Sequence, residues 1–364
     1  MIINDSTLVI RVGRADVIFV FNIRRSQLLS SIRLQSDIVE RVEPLLPMAF
    51  EGELNKLDFY GDKLSIDAVR KNYLQTGVPG MFRLYGDLYG FDMIGSDSLI
   101  IASSIVYPYF RDGVGDEKKT ELMPYPLLVR AALDGSGYSF SVLPWHHSLN
   151  VYPTNNVVCM VGNSAWIGVG DYYPREYSGP RSTDLMGAIT AKYNSHGTFR
   201  GVVSRERSEM PDLERMQISR QFLCEGIDSN SLVRALSIAK SVDLVNTDDG
   251  SYHRIPMPAS IRQLEDTLGF EIRQLIRFGG DKIAVHVALI KNVPWRNFIV
   301  TGKLSADRAE ISWTNVLECQ VGDHNLLDIV DTNESPLFRN QLLAIFEDPS
   351  VGPYLARIES MVGE

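Results

Sequence analysis

The chain has little of the chemistry from which most catalytic and metal sites are built. Of its 364 residues, three are cysteine and six are histidine. Cys159, Cys224 and Cys319 are too far apart for a CxxC pair, so neither a zinc knuckle nor a thioredoxin-type site is supported. An odd, scattered set suits a reducing compartment, with each thiol a small buried residue. Lysine is scarce as well: the 36 basic residues divide into 26 Arg and 10 Lys. No run of about 18 apolar residues occurs, so no membrane span is expected. The opening MIINDSTLVIRVG lacks a basic start followed by an apolar stretch, so the sequence predicts no secretory signal and a cytoplasmic or virion location.

Nucleophile and phosphate motifs are missing too. There is no GxSxG and no GxxxxGK[ST]. The segment WIGVGD, 166–171, has two glycines of a dinucleotide fingerprint and lacks the third. Ser237 and Lys240 have the S-x-x-K spacing without its companion motifs, and read as the wet side of a helix. Asp248-Asp249 lacks the acidic ladder of a calcium loop and reads as a helix-ending surface turn. The sequence therefore predicts no cofactor and no metal.

What is present is an ordinary globular composition, 45% hydrophobic and 22% charged. The length suggests two subdomains. A net charge of −9 argues against a nucleic-acid coat while leaving room for a local basic groove.

The hydrophobic pattern reads as α+β. Residues 1–181 form a β-rich half, a sandwich or curled antiparallel sheet. They start with a hairpin over 1–23, include a strand in SLIIASSIVYPYF, and continue with four short strands between 126 and 170. Segments leaning helical lie at 26–46 and near 65–75, and the glycine-bearing 111–119 reads as an exposed loop. Residues 182–364 form a helical half or, with the first, one continuous domain. Helices are expected at 182–193, 210–225 and 230–245. The strongest helical signal is 260–278, with Ser260 and Gln263 at capping-box spacing and Ile261, Leu264, Leu268, Ile272 and Leu275 on one face. A three-stranded antiparallel meander follows at 282–321. Its last strand puts Ile311, Trp313, Leu317, Cys319 and Val321 on a single face, packed on that helix. A C-terminal helix is expected over 335–362.

His146 and His147 are weaker site candidates. In extended chain, successive side chains point to opposite faces, so the doublet cannot jointly chelate one ion. The arginine segment carries more weight. Arg200, Arg205, Arg207, Arg215 and Arg220 fall within 21 residues, interleaved with acids, and are candidates for contact with phosphate or a partner subunit. Arginine and tyrosine are enriched in interfaces and lysine is depleted there. The first functional expectation is therefore an assembly protein, a virion or phage shell, clamp or outer-layer subunit, bound to copies of itself or to other subunits. The second is a nucleic-acid-binding assembly protein that contacts RNA or DNA through residues 200–220. The third is an enzyme whose site converges from His146, His253 and Asp248.

Overall fold

The computed structural model describes residues 1–11, 17–33, 41, 90–111, 119–142, 158–170, 187–207, 222–236, 239–264, 270–289, 296–321, 324–332, 335–348, 350 and 352–358. Among these there are 24 strands and one helix of four residues.

The strands follow one another in six four-stranded antiparallel sheets, each a simple meander. The first holds β1 (Ile2–Asn4), β2 (Thr7–Arg11), β3 (Val17–Asn22) and β4 (Gln27–Arg33). The second holds β5 (Gly90–Ile94), β6 (Ser98–Arg111), β7 (Lys119–Ala132) and β8 (Tyr138–Val142). The third holds β9 (Val158–Val161), β10 (Ser164–Gly170), β11 (Gly187–Asn194) and β12 (Phe199–Arg207). The fourth holds β13 (Phe222–Gly226), β14 (Ser231–Leu236), β15 (Ser241–Asn246) and β16 (Tyr252–Pro256), and the helix α1 (Ala259–Arg262) follows it. The fifth holds β17 (Phe270–Phe278), β18 (Lys282–Leu289), β19 (Arg296–Leu304) and β20 (Ile311–Glu318). The sixth holds β21 (Gln320–Val321), β22 (His324–Val330), β23 (Leu342–Asp348) and β24 (Gly352–Ile358).

Each sheet is tied to the next. Ser30 Oγ donates to the Leu133 carbonyl between the first and second. Met160 N donates to Asp92 Oδ2 at 2.7 Å between the second and third, and Lys192 Nζ reaches the Thr247 carbonyl at 3.4 Å between the third and fourth. Trp313 Nε1 donates to the Pro256 carbonyl at 2.7 Å, joining the fifth to the fourth. Ile329 N donates to Gln274 Oε1, also at 2.7 Å, joining the sixth to the fifth. The circle closes where Ile2 N donates to the Asp331 carbonyl at 2.7 Å. Six sheets around one axis make a six-bladed β-propeller.

The apolar core is divided accordingly into wedges between blades. Cys159, Trp166, Cys224 and Leu232 fill the wedge between the third and fourth. A large cluster including Leu223, Val233, Ile272, Val285 and Val300 joins the fourth to the fifth. Ile276, Ala284, Ile299, Ile329 and Phe346 join the fifth to the sixth, while Ile2, Val330 and Leu343 join the sixth to the first.

This architecture corrects the α+β reading. In the N-terminal half the individual strands 126–170 and the Ser98–Arg111 strand are present, but they belong to separate blades and not to a sandwich. Residues 27–33, read as helical, are strand β4. Residues 187–194 are strand β11, and 231–236 and 241–246 are the paired strands β14 and β15, buried on both faces, while 182–186 and 237–238 lie outside the described residues. Of 210–225, residues 222–225 are strand, and 208–221 lie outside the described residues. The expected helix 260–278 reduces to α1, which has Pro258 at its N-cap position and no side-chain cap, followed by strand β17. In β17 a bulge between Ile272 and Gln274 shifts the side-chain parity. Ile272 and Leu275 therefore reach the same wedge although they are three residues apart, which is a helical spacing.

Of the meander expected over 282–321, the strands 282–289, 296–304 and 311–318 are present in the fifth blade, packed beside a strand and not a helix, while Gln320–Val321 belong to the sixth blade. A second bulge lies in β20, where Thr314 is the extra residue between Trp313, opposite Gly302, and Asn315, opposite Thr301. Ile311 and Trp313 consequently face the fourth blade, while Leu317 and Cys319 face the sixth, so the single face expected for them is split in two. The C-terminal helix is a turn over 336–340 leading into β23 and β24. Its start mimics a cap: Ser335 Oγ accepts from Phe338 N at 3.2 Å, and Asp5 Oδ1 from Leu337 N at 2.8 Å. The expected helix near 65–75, the loop tip 112–118 and the 181/182 boundary lie outside the described residues.

Candidate functional site

Every blade sends side chains to the axis. Leu8 to Arg11, Asp92, Val158, Glu225, Gln274 and Asp328 line one central cavity of about 80 Å³. A cavity of that size takes a few waters, whereas sites for organic ligands are several-fold larger. Its polar groups are strongly perturbed. Burial pushes Asp328 up to about 7, against the opposing pull of the Met1 amino group and Arg11. Burial also raises Glu225 well above the ordinary carboxylate range, helped by Asp331 and Asp92 and opposed by Arg277. Asp92 and Gln274 are occupied in holding the neighbouring blade's backbone. Among the described residues no group of three or more His, Cys, Asp or Glu is arranged to hold a metal ion. Apolar side chains such as Val9, Phe91, Val158 and Ile329 share the walls of this narrow axial cavity with the charged groups.

A larger depression, about 650 Å³ and open to solvent, lies at one end of the ring where the fourth blade meets the fifth. Three turns enclose it. The β13–β14 turn brings Asp228 and Asn230, and the β15–β16 turn and the start of β16 bring Ser251, Tyr252 and His253. The β19–β20 turn brings Asp307, Arg308 and Glu310. Short polar side chains fold these turns. Asp307 Oδ1 accepts from Ser305 Oγ at 2.6 Å, and Ser305 Oγ accepts from Glu310 N at 2.9 Å. Arg308 adopts the left-handed region, φ 59°, to complete the reversal. Asp228 Oδ1 accepts from Asn230 N at 2.9 Å.

These hydrogen bonds keep the rim anionic. At Asp228 burial alone would raise the pKa, but the Asn230 N–H, the Ser231 hydroxyl and N–H, and Arg308 together lower it. The Ser305 hydroxyl and the Ala309 N–H lower Asp307. On the adjoining turn the Ser251 hydroxyl and N–H lower Asp249. Three lining carboxylates, Asp228, Asp307 and Glu310, face one lining guanidinium, Arg308.

The residues singled out from sequence are scattered. Arg200, Arg205 and Arg207 lie on β12, the outermost strand of the third blade, and Arg200 is exposed at a bulge. Arg205 stands opposite Ile189 and Arg207 opposite Gly187 in the ladder. Arg215, Arg220, His146 and His147 lie outside the described residues. His253 is exposed on β16 at the groove. Asp248 sits in the turn beside it, linked through Asn230 Nδ2 to Asp248 Oδ2 at 3.3 Å. Asp248 ends a strand and not a helix. The elements of the groove missed by sequence reading, Asp228, Asp307 and Glu310, come from turns about 80 residues apart in the chain. Only the Asp/Asn/Ser punctuation of those turns marks them.

No family model matches the chain, and no curated protein is similar to it. Among solved structures, prolyl oligopeptidase B from Galerina marginata, bound to a 25mer macrocyclization substrate, aligns with a TM-score of 0.36 and 12% identity. The alignment covers 99% of this chain and 44% of that one, so the chain spans less than half of the enzyme's length. A likeness of this strength assigns neither activity nor substrate. These comparisons do not bear on the virion or phage setting expected from composition, nor on any other assembly role. No helix among the described residues is long and apolar enough to cross a membrane.

Proposed function

We propose that the protein is a binding module that acts through protein contacts, and that the acidic groove between the fourth and fifth blades takes an arginine- or lysine-bearing segment of a partner protein. The observation that carries this reading is the groove itself. It is about 650 Å³, rimmed by Asp228, Asp307 and Glu310, while the axial cavity is about 80 Å³. A basic side chain entering the groove meets carboxylates already oriented by their turns, which lowers the ordering cost of binding. The same field repels phosphate, so nucleic acid is disfavoured there.

The test is a titration of a labelled Arg/Lys-rich peptide and its Glu-substituted counterpart, followed by fluorescence anisotropy at several salt concentrations. Binding of the basic peptide alone, weakening as salt rises, is expected. The combined variant Asp228→Asn, Asp307→Asn, Glu310→Gln keeps the turn acceptors and removes the charge, and should weaken binding at least tenfold. The remote set Asp97→Asn, Asp134→Asn, Glu347→Gln removes the same charge elsewhere and should leave it within twofold. Equal losses in both sets would reduce the effect to net charge and overturn the reading. Binding of an oligonucleotide, abolished by Arg200→Glu, would replace it with recognition by the outer strand of the third blade.

A further inference from the structure

Cys159 and Cys224 lie on β9 and β13, neighbouring strands on the two sides of the joint between the third and fourth blades. Both are free thiols, fully buried with Val161, Trp166, Leu232 and Val245. Their separation is constrained twice. Trp166 stands directly opposite Cys159 in the β9–β10 ladder, and Cys224 Sγ lies 3.4 Å from the Trp166 carbonyl oxygen. The Met160 carbonyl, one residue from Cys159, presses on Gly226, two residues from Cys224, so closely that a Cβ there would overlap it. The two backbones thus touch within two residues of both cysteines, which brings the thiols into the same neighbourhood of the wedge. Burial raises the Cys159 thiol well above its ordinary range, and the adjacent Cys224 raises it further. Cys319 sits in another wedge, between the fifth and sixth blades.

We propose that Cys159 and Cys224 form an inter-blade disulfide site, open as two thiols and closed by a hydroperoxide. In the first step one sulfur, as thiolate, attacks hydrogen peroxide. The O–O bond breaks, a sulfenic acid forms, and the departing hydroxide takes up the thiol proton as water. In the second step the other sulfur attacks the sulfenic sulfur. The S–O bond breaks, the S–S bond forms, and the hydroxyl leaves with the second thiol proton as water. Two thiols and one peroxide give one disulfide and two waters. A peroxide the size of water suits a packed wedge that a tripeptide disulfide cannot enter. Buried, protonated thiols make the reaction slow and confine it to oxidative conditions. The closed form links the loop from 159 to 224 and restrains the unfolded chain, so it melts at a higher temperature.

The test exposes the full chain, purified with reductant and then desalted, to hydrogen peroxide. Remaining thiols are alkylated, and peptides are mapped by mass spectrometry beside a thermal melt. The expected result is a Cys159–Cys224 cross-linked peptide that dithiothreitol removes, Cys319 recovered as alkylated thiol, and a raised melting temperature. Cys224→Ala and Cys159→Ala should each abolish both the cross-link and the thermal shift. If a variant does not fold, the wild-type peptide map decides alone. Sulfinic or sulfonic acids at these positions without a cross-link, a cross-link to Cys319, or a cross-link that appears only in denaturant would each overturn the proposal.

Discussion

Arg234 has no exposed surface, and its guanidinium reaches Asp243 Oδ2 from both Nε and Nη2 at 3.1 Å. Across the next strand Arg254 Nε donates to Asp243 Oδ1 at 2.8 Å, so one carboxylate serves two cations on β14 and β16. Burial raises Asp243 against the pull of Arg234, and lowers Arg234 despite Asp243. The pair therefore stabilises little by itself, but removing one member strands a buried charge. Asp243→Ala should cost about 3–5 kcal/mol in chemical denaturation. Two other residues act on pH in opposite directions. Burial lowers His286 from 6.5 to about 4, so the unfolded state binds more protons between those values and stability rises with pH there. Burial raises Asp328 from 3.8 to about 7, so the folded state binds more protons and stability falls as pH rises through that window. Each effect is on the order of 3–4 kcal/mol, and the two oppose each other, with the raised Glu225 acting in the same direction as Asp328. Relative to the wild type, Asp328→Asn should shift the slope of stability against pH between 4 and 6.5 upward, and His286→Leu should shift it downward. Denaturant midpoints across that range check both, and an unchanged slope in either variant would contradict the assignment.

At the scale of the element, the bulges decide what the sequence could show. Strands such as Tyr138–Val142 and Ser164–Gly170 were legible because glycine and serine turns bracket them. Strands β14, β15 and β17 are covered on both faces by neighbouring blades, so the polar alternation that marks a strand is lost. Continuous apolar runs contain helical spacings as readily as strand spacings, and the bulge in β17 supplies one outright. The groove was illegible for a different reason, since its acids are ordinary turn residues until the ring brings three turns together. Outer strands also show how blade edges are blunted. There are bulged registers where β4 pairs with β3, β12 with β11 and β20 with β19, and prolines Pro256 in β16 and Pro353 in β24. In β20 the Trp313 ring lies against Gly302, where a Cβ would sit 2.9 Å from it, and its indole N–H holds the Pro256 carbonyl. Trp313→Ala should therefore cost about 2–3 kcal/mol by loosening the joint between the fourth and fifth blades. A change below about 1 kcal/mol would mean that the ring does not carry this joint.

For the whole molecule, closure of the ring is what makes a site. The first and last blades meet through Ile2 and Asp331, and through Asp5, whose Oδ1 accepts from Leu337 N at 2.8 Å. Closure fixes the angle between neighbouring blades, and hence the spacing of the turns around the groove. Among the described residues the axial cavity is about 80 Å³, and the proposed recognition lies at the rim. The most direct test is hydrogen–deuterium exchange with and without an Arg/Lys-rich probe peptide. The account predicts slowed exchange confined to 227–231, 246–252 and 305–310, with the axial strands β5, β13 and β22 unchanged. Slowing in the axial strands, or along β12 with those three turns unaffected, would contradict it.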